Sequence, residues 1–134
     1  DYVFQKNKLF ASLTLSEHEL ALYLRIYDIL ERMIPRPDLV LYLKADVSDL
    51  VSRLIHGRGL NYWESGMDIH PSKNLYDSFI DYQSELSMIF DQFAKEFGFA
   101  VVDAGRPVMD VFSDLQDHIQ DLLESQQPIL EDDF

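Results

Sequence analysis

Two short runs constrain this chain more than anything else in it: LVLYL at residues 39–43 and FAVVDA at residues 99–104. Each is apolar with little alternation. A strand that reads this way is covered on both faces, which is the habit of parallel sheets. Parallel neighbours need a crossover of a dozen or more residues, usually helical, and helical periodicity fills the interval between the two runs. The expected class is therefore α/β. Two such strands cannot complete a covered sheet, since sheets usually hold about four to six. The strand over 38–44 is accordingly expected to be central, with no partner inside this chain. Further strands are expected before Asp1, making the chain the C-terminal part of a larger domain.

The chain is long enough for a core: 134 residues, 47% apolar and 13% aromatic. Its 24 acidic residues outnumber 11 basic ones, for a net charge of −13. That excludes non-specific nucleic-acid binding, which needs a positive surface to release counterions, and docking on anionic lipid. A small phosphorylated ligand stays compatible, because a few local arginines suffice to hold phosphate. No cysteine occurs, so there is no disulfide framework and no thiolate chemistry. This fits a reducing compartment, and the cytoplasm is the expected location. No apolar run approaches the roughly 18 residues that span a bilayer, and no signal peptide is visible.

Residues 2–13 place Val3, Phe4, Phe10 and Leu13 near one helical face, with Lys6 and Lys8 opposite. Ser16 to Glu19 reads as a capping box. The helix that follows, residues 17–33, is apolar over a wide arc and is expected to be largely buried. Pro35 and Pro37 end it. A helix over 47–56 follows the first strand. Residues 57–71, with Gly57, Gly59, Gly66 and Pro71, are expected to form a mobile loop. Ser72 is expected to cap a long helix ending at Gly98, with Leu75, Phe79, Tyr82, Leu86, Ile89, Phe93 and Phe97 as its core stripe. A last amphipathic helix starts after Pro107. Residues 125–134 form an acidic tail.

Arg53 near the exit of helix 47–56 and Arg58 in the glycine loop are the candidate catalytic residues. Guanidinium groups on a closing loop suit phosphoryl transfer, where charge grows on the transferring oxygens and must be met away from water. The plain alternative is that Arg53 complements the helix dipole and Arg58 is a solvated loop residue. Asp1, Tyr2, Phe4, Gln5 and Lys6 mix aromatic and polar groups, which suits a nucleobase or equally an ordinary amphipathic helix. Tyr62, Trp63, Glu64 and Asp68 read as a substrate lid or as an aromatic patch on the core. Asp103, Ala104, Gly105, Arg106 and Pro107 follow the end of a strand, where α/β sheets bind ligands, although a plain turn into a helix explains them equally. His18, His56, His70 and His118 have no metal-ligand spacing with one another. Neither GxxxxGK[ST] nor GxGxxG occurs, so these residues hold no phosphate-cradling loop.

The segments DYVFQKNKLFA, ELALYLRIYDIL and PRPDLVLYLKADVSDLVSRLIHGRG resemble, in that order, the second half of bacterial deoxynucleoside kinases. Downstream, LYDSFIDYQSELSMIFDQFAKEFGFAVVDAGRPVMDV is similar to thymidylate kinases, with a YQ step in a long helix before a strand ending in Asp-Ala. Together these cover about residues 1–123. The resemblance implies a three-layer P-loop nucleotide kinase fold, with residues 1–124 as its C-terminal part, a lid over about 56–71, and the last two strands of a parallel sheet supplied here. It implies ATP and Mg²⁺ as cofactors, with most metal ligands upstream, and phosphoryl transfer to a deoxynucleoside 5′-hydroxyl. A nucleoside monophosphate acceptor and a non-catalytic helical interaction module are the alternatives. It also implies that Asp1 and Phe4 border the substrate base, that Arg53 and Arg58 contact ATP phosphates, that Glu64 lies near the sugar, and that Asp103 to Pro107 flank the adenine. A homodimer is compatible with this. The sequence departs from the family at 55–58, Ile-His-Gly-Arg, where a denser run of arginines is usual, and its loop to Glu64 is longer. Without a P-loop, the 134 residues alone are expected to be inactive.

Overall fold

The structure is a computed structural model that describes residues 3–59, 61, 65–69 and 74–126. The elements run α1 (Gln5–Thr14), α2 (Glu17–Glu31), β1 (Leu41–Lys44), α3 (Val47–His56), α4 (Leu75–Phe97), β2 (Ala100–Asp103) and α5 (Val108–Ser125). No helix among the described residues is long and apolar enough to cross a membrane.

Local chemistry sets the helix ends. At α2 the Glu19 carboxylate accepts from the Ser16 backbone N–H at 2.9 Å and the Ser16 hydroxyl at 2.7 Å. Both bonds favour the charged form and lower the Glu19 pKa. Asn74 caps α4, its side chain accepting from the Asp77 N–H at 2.9 Å. The cap is therefore Asn74 and the helix begins at Leu75; Ser72, the expected cap, lies outside the described residues. Gly98, at φ +69°, ends α4 in the left-handed conformation that glycine adopts without strain.

The two strands are neighbours. β1 pairs with β2 in parallel, Leu41 opposite Ala100 and Lys44 opposite Asp103. This corrects the expectation that the first strand lacks a partner in the chain. Four short residues on each strand suffice, because the connection through α3 and α4 is long enough to bring the chain back parallel. The result is an α/β arrangement with a two-stranded parallel sheet. β1 begins at Leu41, later than expected, although the Val40 carbonyl already accepts from the Ala100 N–H at 2.9 Å.

The core lies between α1 and α4. Leu9, Leu86 and Phe93 are buried together, with Leu13, Tyr82, Ile89, Phe90, Phe97 and Phe99 packed around them. The predicted stripe on α4 is thus the inner face. The inner face of α1 is instead set by Gln5, Leu9 and Leu13, one turn apart, and Phe10 points away and is exposed. Lys8 is not on a purely solvated face either: its ammonium sits 5.9 Å from the Tyr27 ring and 5.7 Å from the Phe97 ring, and 3.7 Å from the Glu96 carboxylate. α4 covers one face of the sheet, with Tyr42 stacked on Phe90 at 5.3 Å and Lys44 Nζ 2.7 Å from Asp91.

Helix α2 is less buried than its composition predicts. Tyr27 is its only fully buried residue, while Leu22, Ile26, Ile29 and Met33 are more than half exposed. The reason is geometric. Among the described residues α1 is the main neighbour of α2, touching one arc through Phe4 and Tyr27, and one helix cannot cover a wide apolar arc. On α5, likewise, Val108, Met109 and Phe112 are exposed. Ser125, expected in the tail, is the last residue of α5.

Candidate functional site

The two strands end side by side, and the loops leaving them meet. The Ala104 N–H donates to the Lys44 carbonyl at 2.7 Å, extending the β1–β2 ladder by one bond. Asp103 then folds the chain back on itself: its Oδ1 accepts from the Gly105 N–H at 2.9 Å. Arg106 closes the turn. Its Nε donates to the Asp103 carbonyl at 3.2 Å, and its Nη2 pairs with Asp114 on the second turn of α5. That pair, followed by the charges of Asp103 and Asp110, holds the guanidinium in its charged form. Pro107 is the N-cap residue of α5, and its carbonyl accepts from the N–H groups of Asp110 and Val111.

Helix α3 reaches this loop from the other side. Asp46 is its N-cap residue and Gly57 its C-cap, and the chain turns through Gly59 at φ +81°. Arg53 lies on the last two turns, and its Nη2 donates to the Ala104 carbonyl at 2.6 Å. Both backbone polar groups of Ala104 are therefore engaged, one by β1 and one by α3. Arg58, two residues past the end of α3, is exposed. The space between the strand ends is a cleft of about 340 Å³ lined by Lys44, Asp46, Asp49, Val101 and Asp103. Gly105 lies close to this cleft: a Cβ there would stand 3.1 Å from an Asp49 oxygen and 3.2 Å from an Asp103 oxygen.

Arg53 and the 103–107 segment, predicted separately, are thus brought together at the carboxyl edge of a parallel strand pair, the edge where open α/β sheets bind ligands. Phe4 is placed elsewhere. It stacks on Tyr27, centroids 4.7 Å apart and planes 12° from parallel, and it lines a cleft of about 570 Å³ with Gln5, Glu31 and Pro35. An adjoining cleft joins Gln5 to Leu39, Gly98 and Phe99, the residues where the strands begin. The structure does not bring Phe4 to the Arg53 edge. Asp1 and Glu64 lie outside the described residues.

Several participants were not singled out from sequence. Lys44, Asp46 and Asp49 line the carboxyl-edge cleft, and the polar residues that terminate the apolar run at 44–46 were the signal for them. Asp114 was legible only as an acid on the second turn of α5. Among the described residues no group of three or more His, Cys, Asp or Glu could hold a metal ion.

One comparison with known proteins bears on this chain. A 54-residue stretch of the chain is 41% identical to the deoxyguanosine kinase of Bacillus subtilis (strain 168). The stretch is 40% of this chain but only 26% of that protein, so the chain matches about a quarter of its relative's length. No family model matches the chain. The match supports a deoxynucleoside kinase-like relationship and, with it, an enzyme-like origin for the segment.

Proposed function

We propose that these residues belong to an ATP-dependent nucleoside kinase, and that the intact protein transfers the γ-phosphoryl group of ATP to the 5′-hydroxyl of a deoxynucleoside. The observation that carries this reading is the 41% identity to a deoxyguanosine kinase over 54 residues. The geometry agrees in kind: a parallel strand pair whose carboxyl edge gathers an arginine-bearing helix and a tight loop. In this reading the 103–107 loop flanks the adenine of ATP. Arg53 holds that loop by the Ala104 carbonyl and keeps other N–H groups for phosphate, since a guanidinium carries five. Arg58 meets the charge that develops on the transferring oxygens. ATP is the phosphoryl donor, with Mg²⁺ whose ligands would lie mostly upstream of these residues. A P-loop is a further requirement that these 134 residues do not meet, so the 134 residues alone are expected to show no kinase activity.

A second reading, a non-catalytic interaction module, draws on the open apolar face of α2 and the turn after it, where Leu22, Ile26, Ile29 and Met33 are exposed. The two are separated by a thermal-shift measurement on the intact protein. Nucleosides and ATP stabilise a kinase by mass action, about 2.7 kcal/mol at a hundred times Kd. A melting temperature that rises with deoxyguanosine or another deoxynucleoside, and with ATP, supports the kinase. If monophosphates raise it and nucleosides do not, the acceptor is a 5′-phosphate. No shift with any of them contradicts the proposal.

A further inference from the structure

Gln5, the first residue of α1, is only 9% exposed, and its side-chain oxygen is buried with no hydrogen-bond partner. Buried polar atoms are nearly always bonded, and an orphaned acceptor carries the full penalty of its lost water. Gln5 lines two adjoining clefts at the edge where the strands begin. The larger, about 570 Å³, is walled by Val3, Phe4, Ile34, Pro35 and Pro37. That volume takes a small organic molecule, and this wall is hydrocarbon and aromatic ring without charge. The stack of Phe4 on Tyr27 holds the ring in place.

The smaller cleft, about 330 Å³, has a different character. Asp38 lines it, and so does the end of α4 at Phe97 and Gly98. Gln5, Glu31 and Arg36 line both clefts and mark where they join. The junction favours hydrogen-bond donors and positive charge. Gln5 offers an acceptor that nothing else uses, and Glu31 and Asp38 offer carboxylates. Helix α4 ends there, so the negative end of its dipole falls on the same lining. The net charge of −13 adds a field of the same sign. Arg36 is the one cation on the lining, and it is exposed.

We propose that the two clefts form a binding site for a small organic ammonium, a primary amine on an apolar or aromatic body. The ammonium donates to Gln5 Oε1 and to the Glu31 carboxylate at the junction, and the body packs on Phe4, Ile34 and Pro35. An ammonium has three donors, enough for both acceptors at once. A neutral compound of the same shape gives up the charge attraction, and an anion meets Glu31 and Asp38. The site lies at the other end of the strands from Arg53 and does not rest on the kinase reading.

The test is isothermal titration of the intact protein with phenethylamine, alongside 2-phenylethanol and 3-phenylpropionate, which carry the same ring on a neutral and an anionic group. The site predicts saturable binding of phenethylamine, binding of the alcohol at least about tenfold weaker, and none of the acid. Gln5→Leu and, at a half-buried position, Glu31→Gln should each weaken phenethylamine at least about tenfold, the scale of a hydrogen bond to a charged group. Without ligand, Gln5→Leu should keep or raise the melting temperature, because it removes an orphaned acceptor. No saturable binding of phenethylamine would overturn the site, as would unchanged binding in both variants. The alcohol binding as tightly as the amine would overturn the ammonium assignment. A melting temperature several degrees lower in Gln5→Leu would mean a satisfied amide and overturn the argument built on it. Displacement of phenethylamine by deoxyguanosine would make the cleft a nucleoside site and overturn the separate ligand.

Discussion

The Arg53 guanidinium bonds the Ala104 carbonyl across 2.6 Å, joining the helix after the first strand to the loop after the second. An arginine that ties helix α3 to the loop after β2 does structural work whether or not a ligand is present. Replacing it should therefore show in stability as well as in activity. Arg53→Ala should cost about 1 kcal/mol or less, the worth of one hydrogen bond at a solvent-accessible position. Arg53→Lys should not restore turnover, because one ammonium cannot hold the carbonyl and also present a planar fork to phosphate. Chemical denaturation and ATP-dependent turnover of the intact protein, measured on the same preparations, check both.

Arg58 should behave differently. It lies beyond α3 in exposed chain, and its proposed role is confined to the transition state. Arg58→Ala should lower kcat by about two orders of magnitude or more, the scale seen when one preorganised charge contact is removed. The melting temperature should change little. An unchanged turnover would remove Arg58 from the mechanism.

The inner face of α1 can be read out by a pair of substitutions. Leu9 is fully buried against Leu86 and Phe93, whereas its neighbour Phe10 is 38% exposed. Leu9→Ala should cost about 2–5 kcal/mol, the usual range for emptying a core site. Phe10→Ala should cost less than about 1 kcal/mol. Equal costs would mean that α1 is rotated from the orientation described.

Tyr27 makes stability depend on alkaline pH. Burial first, and then the nearby Glu31 charge, push its phenol from 10.0 up to about 12. Between those values the folded chain keeps a proton that the unfolded chain releases. The contribution is thus fully present below pH 10 and is lost as pH rises toward 12. Two pKa units correspond to at most about 2.7 kcal/mol. Tyr27→Phe should flatten the fall in stability between pH 10 and 12. It should also be neutral or slightly stabilising at pH 7, because the Tyr27 hydroxyl is buried without a hydrogen-bond partner among the described residues. Denaturation midpoints across that pH range, variant against wild type, decide it.

Much of this arrangement was legible locally. The bounds of α3 follow from Asp46 and the glycines at 57 and 59, and the α4 stripe from apolar residues three and four apart. The Ser16–Glu19 interaction follows from residue type and spacing. What sequence could not supply were facts about neighbours. The apolar arc of α2 states what could be buried, not which arc α1 would lie against. Phe4 and Arg53 each looked suited to a ligand, but their placement at different ends of the strands depends on how α1 packs on α4. The bond from the Ser78 hydroxyl to the Ser65 carbonyl left no trace, since two serines 13 residues apart carry no periodic signal.

The most direct measurement is transfer of label from [γ-³²P]ATP, with Mg²⁺ present, to deoxyguanosine and the other deoxynucleosides by the intact protein that carries these residues. The account predicts labelled deoxynucleoside 5′-monophosphate, formed in proportion to enzyme and lost in the Arg58→Ala variant. Label that never leaves ATP with any nucleoside or monophosphate offered, from a folded and ATP-saturated protein, would contradict it.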